Sequence, residues 1–130
     1  MNIKELEYFK TVCQHKSITK AAHALYMTPQ GLSKIIKNIE SEMGASLLNR
    51  TGTGISLTEA GAYLYARLPE FLNSYHSICS EIRCIEHLQR VNASLIDVGM
   101  DFESRKQKLS QIYIQRHSRA LLSEIKRLEF

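Results

Sequence analysis

No run of apolar residues in this chain approaches the ~20 needed to span a bilayer, so no membrane-crossing helix is expected. The opening, MNIKELEYFK, mixes charges into its apolar residues from position 4, and no secretory signal is expected to begin there. Cysteine is sparse. Cys13, Cys79 and Cys84 form an odd set that cannot all pair within one chain, which argues against a secreted disulfide framework. A soluble, reduced, cytoplasmic protein is the expectation. Phosphate-binding loop, nucleophile elbow and convergent metal ligands are all missing, so no catalytic residue, no cofactor, no metal and no enzyme is expected. Internal repeats and low-complexity segments are missing too.

What remains is 130 residues, enough for one small domain and an extension. Hydrophobic residues make up 44%, a globular share. The net charge of +4 permits a polyanionic partner without requiring one.

Punctuation along the chain predicts its helices. Asn2 with Glu5 three residues on is a capping pair opening a helix over 2–14, whose inner face is Ile3, Leu6, Phe9 and Cys13. Ser17 or Thr19 can cap a second helix, ITKAAHALYM, in which Ala21 and Ala22 let another helix approach. Thr28 followed by Pro29 is a strong signal for a third start, and Gly44 after Met43 ends that helix. Beyond it, RTGTG is a glycine-bearing turn between ASLLN and ISL, which predicts a two-stranded wing at about 47–57. Ser56 with Glu59, or Thr58 alone, can cap the helix that follows.

The third helix shows two unlike faces. Leu32, Ile35, Ile36 and Ile39 recur at the three-and-four spacing of a buried stripe. Opposite them stand Gln30, Ser33, Lys34, Lys37 and Asn38, with no carboxylate before Glu40. Two helices joined tightly, the second capped and cationic on its outer face, form the helix-turn-helix arrangement whose second helix enters the major groove. Gln30 can pair in bidentate fashion with an adenine edge, Ser33 can reach several base edges, and Lys34 a guanine or a phosphate. Thr28 and the open amides of the helix start offer donors to a phosphate. A carboxylate among these groups would be repelled by DNA. Glu40 and Glu42, two residues apart, do not share a helical face and read as a charge cluster at the helix end.

From residue 59 to about 90 one long helix carries Leu64, Leu68, Phe71, Tyr75, Ile78, Ile82 and Ile85 at alternating steps of four and three. That is a coiled-coil seam, expected to pair with a second copy rather than fold back on its own domain. Pro69 lies inside it and is expected to bend the helix or remove one hydrogen bond near Tyr65. His76, Cys79, Cys84 and His87 tempt a zinc reading. On one helix, however, positions 79 and 84 point about 140° apart, so the four do not converge, and the cysteines read as packing residues.

Past residue 91 the pattern changes. Ile96, Val98, Met100 and Phe102 alternate with polar residues, which predicts a half-buried strand. A helix over about 104–128 then carries Leu109, Ile112, Tyr113, Leu121, Leu122, Ile125 and Leu128. One strand and one helix make no independent core.

The stretch from FKTVC to LTEAG resembles the N-terminal winged helix-turn-helix of LysR-type transcriptional regulators. SITKAA, LSKIIKNIE and LLNRTGTGISLTEAG carry the resemblance, in this order and at this spacing. It covers residues 1 to about 65, and the long helix fits the family's dimerisation linker. The fold it implies is mostly α: a winged helix-turn-helix over 1–58 with its helix-turn-helix at about 18–37, a linker helix over 59–90, and over 91–130 a short α/β start of an effector-binding-like domain.

DNA contacts implied by the resemblance cluster at Thr28, Gln30, Gly31, Ser33, Lys34, Lys37 and Asn38, with Arg50, Thr51 and Thr53 on the wing. The implied partners are double-stranded DNA and a second copy, as a homodimer or higher homo-oligomer. Two departures from the family pattern stand out. Pro29–Gln30 inverts the common Gln–Pro order, moving the glutamine one position along the helix. Thr53 stands where a basic wing-tip residue is frequent. SLIDVGMDF resembles the first strand of the family's two-lobed domain, and with the chain ending at Phe130 no small-molecule effector is expected to bind. A rival expectation is a protein-interaction module or decoy that heterodimerises with a full-length regulator through the linker helix.

Overall fold

The computed structural model describes the backbone of residues 1–128 and the side chains of residues 1–119. It divides into two compact units, Met1–Ser74 and the segment from Tyr75 onward.

In the first unit the caps act as their spacing predicts. Helix α1 (Ile3–His15) opens on a reciprocal pair, the Glu5 amide donating to Asn2 Oδ1 at 2.9 Å and the Asn2 amide to Glu5 Oε2 at 3.2 Å. Ser17, not Thr19, caps α2 (Ile18–Ala24) through the Lys20 amide. The turn that follows places Tyr26 at φ 55°, a left-handed conformation unusual for an aromatic residue. Its side chain is 97% exposed. Thr28 Oγ1 accepts from the Gly31 amide at 3.1 Å and starts α3 (Pro29–Met43), and Gly44 ends it at φ 70°.

Strands β1 (Leu48–Thr51) and β2 (Gly54–Leu57) pair antiparallel, with Arg50 opposite Ile55 and Thr51 opposite Gly54. The core joins Phe9 and Val12 of α1, Ala21 and Ala22 of α2, and Leu32, Ile36 and Ile39 of α3. Leu47 and Leu48 at the wing base, and Leu68 and Leu72 of α4 (Glu59–Asp97), complete it. Burial of each large aliphatic side chain is worth about 1.5–3 kcal/mol, so the stripe of α3 fixes which of its faces remains outside.

Thr58 is the cap of α4. Its hydroxyl donates to the Ser46 carbonyl at 2.6 Å and accepts from the Gly61 amide at 3.0 Å, which ties wing base and helix start together. Gly61 is buried there, because a Cβ on it would lie 2.0 Å from the Leu47 carbonyl oxygen.

The tail differs from its sequence pattern. The strand expected across Ile96–Phe102 is absent: α4 continues through Ile96 to Asp97, and α5 (Phe102–Leu128) begins almost at once. Gly99, at φ 78°, ends α4 with its amide bonded to the Ile96 carbonyl, while the Met100 amide reaches back to Leu95. This pair of bonds is a glycine-based helix stop. Asp101 then caps α5, accepting from the Ser104 amide at 2.7 Å. A helix satisfies its backbone within its own chain, whereas a strand needs a neighbour. Among the described residues the alternation of Ile96, Val98, Met100 and Phe102 has no strand beside it, since β1 and β2 pair with each other. Within this second unit the Glu81 carboxylate of α4 meets His117 of α5 at 3.0 Å. Leu121, Leu122, Ile125 and Leu128 fall outside the described side chains.

Candidate nucleic-acid interface

Because α3 turns Leu32, Ile36 and Ile39 inward, its other face is left to solvent, and Gln30, Lys34, Lys37 and Asn38 are all exposed. The wing brings Arg50 across to this face. Its Nη1 donates to Ser33 Oγ at 2.6 Å, across seventeen positions of sequence. Gln30, Ser33, Lys34, Lys37 and Arg50 thus line one open groove, together with Ile18 of α2 and Pro29. Three of these residues are cationic and none is acidic. The sequence reading overlooked Ile18 and Pro29 as lining residues. Their only signal was position, at the first turns of α2 and α3.

Glu40 explains why a carboxylate is tolerated one turn further on. Its Oε2 accepts from the Leu47 amide at 2.7 Å and the Ser46 hydroxyl at 3.1 Å, so it clasps the wing base rather than forming part of a charge cluster.

Other expected contacts are placed less openly. Thr28 Oγ1 holds the Gly31 amide and Pro29 has no N–H, so fewer amides face outward at this helix start than its sequence suggests. Gly31 serves the cap itself, since a Cβ there would press to 3.0 Å from Thr28 Oγ1. At the wing tip, Thr51 Oγ1 donates to the Gly54 carbonyl at 3.1 Å and lies 3.3 Å from Thr53 Oγ1. Those hydroxyls already serve the turn.

The seam of α4 divides. Leu68 is 1% exposed and belongs to the core of the first unit, and Leu64 is half-buried against the same core. The close approach at Gly61 draws the first turns of α4 onto Leu47, which commits that side to the domain. Phe71, Tyr75, Ile78, Ile82 and Ile85 remain exposed. Cys84 is buried in the second unit, as a packing residue would be, and burial pushes the Cys13 thiol of the first unit up to about 11.

Comparison with known proteins accords with this geometry. The pattern of the bacterial regulatory helix-turn-helix proteins of the lysR family matches residues 3–62. A solved relative, the DNA-binding domain of BenM in complex with its catB site 1 DNA, is 31% identical. It superposes with a TM-score of 0.60 over 66% of this chain and 97% of that one. The chain belongs to the LysR family.

Among curated relatives of this LysR-family chain, a probable RuBisCO transcriptional regulator of Thalassiosira pseudonana is 36% identical over 90 residues, 69% of this chain and 29% of that protein. The uncharacterized HTH-type transcriptional regulator YybE of Bacillus subtilis is 28% identical over 137 residues, 97% of this chain and 47% of that protein. The chain therefore spans less than half the length of these two relatives.

Proposed function

We propose that this chain binds double-stranded DNA in a sequence-specific way, as the reading unit of a LysR-type transcriptional regulator acting in the cytoplasm at the nucleoid. The observation that carries this reading is the groove of Gln30, Ser33, Lys34, Lys37 and Arg50, cationic and free of carboxylates. α3 would lie in the major groove, where Gln30 and Ser33 meet base edges. Lys34, Lys37 and Arg50 would supply phosphate affinity that weakens as salt rises. Thr28, Gly31 and Asn38 flank that face, and Thr51 and Thr53 would approach the backbone from the wing. The family membership and the DNA complex of the BenM domain support the same reading.

A second copy is the partner proposed for α4. Phe71, Tyr75, Ile78, Ile82 and Ile85 keep steps of four and three after Leu68 has been taken by the core. Pairing through this shortened seam would give a dimer suited to two half-sites of an interrupted palindrome.

Selection of bound duplexes from a random pool at two salt concentrations tests the reading. Enrichment of a two-armed inverted repeat, bound less tightly at the higher salt, is expected. Gln30→Ala should relax one base position per arm by about 1–3 kcal/mol. Binding without enrichment would mean that the chain grips phosphates alone, and the heterodimer reading would replace this one. Ile82→Lys should lower the mass seen in sedimentation. An unchanged mass would remove α4 as the pairing element.

A further inference from the structure

Arg50 and Ser33 line the groove together, yet they also bind each other, and the direction of that bond is fixed by chemistry. A guanidinium has five N–H donors and no acceptor, so the Ser33 oxygen must accept from Arg50 Nη1. A serine hydroxyl has one hydrogen to give and rotates to suit its neighbours. With the guanidinium seated on its oxygen, that hydrogen turns away from the cation. A second N–H approaching the same oxygen would also meet the positive charge of Arg50 and of neighbouring Lys34. One lone pair of Ser33 is thus taken and the other is disfavoured by the nearby cations, so Ser33 in this setting donates more readily than it accepts.

Resting on the DNA-binding reading above, we propose that Arg50 is a positioning residue for specificity. It polarises Ser33 so that this side chain selects a base edge offering an acceptor and rejects one offering an amino group. The accepted edges are purine N7, guanine O6 and thymine O4. The clearest rejected edge is the cytosine N4 amine. An unpolarised serine would tolerate either kind, as both donor and acceptor.

The wing geometry supports the assignment. Arg50 lies on β1 opposite Ile55 of β2, and the base of that strand is clasped to α3 by Glu40. The guanidinium is therefore delivered to Ser33 by backbone anchored at Leu47, beyond the reach of any signal local to α3. A phosphate oxygen would accept from the same hydroxyl, and the experiment separates that source from a base.

The test is selection of bound duplexes, at one salt concentration, with the full chain, Ser33→Ala, Arg50→Met and the double variant. Circular dichroism confirms that each is folded. The unchanged chain should disfavour cytosine at one position per arm. Ser33→Ala should flatten that position, and Arg50→Met should flatten the same position by about five-fold, the worth of one hydrogen bond. The double variant should do no more there than either single one.

Loss of affinity in Arg50→Met on all duplexes, with the base preference intact, would overturn the inference and leave Arg50 as a phosphate cation. A sequence-independent loss in Ser33→Ala would assign its hydroxyl to phosphate, and would also overturn it. Absence of any enrichment by the unchanged chain would overturn the DNA-reading role itself, and this inference with it.

Discussion

Glu40 Oε2 lies 2.7 Å from the Leu47 amide nitrogen, a bond that joins the last turns of α3 to the chain entering the wing. The same oxygen takes the Ser46 hydroxyl at 3.1 Å. One carboxylate thus sets the position of β1, and with it Arg50, against the face of α3 that carries Ser33.

Replacing Glu40 by alanine should leave the partly buried Leu47 amide without a partner, at a cost of about 1–2 kcal/mol. Glu42→Ala is the control. Its carboxylate lies at the surface, 2.6 Å from the Met1 amine, where solvent weakens an ion pair, so its loss should cost clearly less than that of Glu40. Urea denaturation distinguishes the two, and equal effects would refute the clasp.

Gly61→Ala should destabilise the first unit strongly, because its Cβ would stand 2.0 Å from the Leu47 carbonyl oxygen. Backbone must shift to make room, at about 1–3 kcal/mol. Gly52, where a Cβ would meet nothing within 4 Å, should accept alanine with little change in Tm. A Gly61→Ala variant that melts with the parent would show that α4 does not approach the wing base this closely.

Tyr26→Asn should stabilise the fold. The left-handed backbone at φ 55° costs a tyrosine about 1–2 kcal/mol, whereas asparagine adopts it readily. The ring, 97% exposed, packs on little that would be lost. A gain of ~1 kcal/mol is expected, read as a higher denaturation midpoint. A drop would mean that the ring supports the turn.

Acidification should loosen the start of α5. The Ser104 amide beside Asp101 holds its carboxyl below the usual value of 3.8, with help from the Ser104 hydroxyl and Arg105. Because the folded group binds its proton less tightly than the unfolded one, its stabilisation is present above 3.8 and is lost as pH falls through the lower folded value. The Ser104 amide resonance should therefore titrate with a midpoint below 3.8, and Asp101→Asn should abolish that titration. A midpoint at or above 3.8 would remove the cap from the account.

Much of this molecule is written locally. Asn2 with Glu5, Ser17 with Lys20 and Thr28 with Gly31 each bond across three positions, so the helix starts were legible before any fold was known. The stripe of Leu32, Ile36 and Ile39 likewise determined which face of α3 stays outside, and hence the exposure of Gln30, Lys34 and Lys37. Gly99 was an equally local signal. The alternation of Ile96, Val98, Met100 and Phe102 spoke against it, and the helix stop prevailed: among the described residues the two strands of the wing pair with each other, and none lies beside this segment.

Tertiary structure alone decided the rest: that Glu40 holds the wing base, that Arg50 reaches Ser33, and that Gly61 leaves room for Leu47. It also decided that Leu68 belongs to the core while Ile78, Ile82 and Ile85 do not. Caps and stripes are hydrogen bonds and periodicities within one turn or one helix, and the order of residues specifies them. Contacts between distant segments depend on how close two backbones come, and only packing sets that distance.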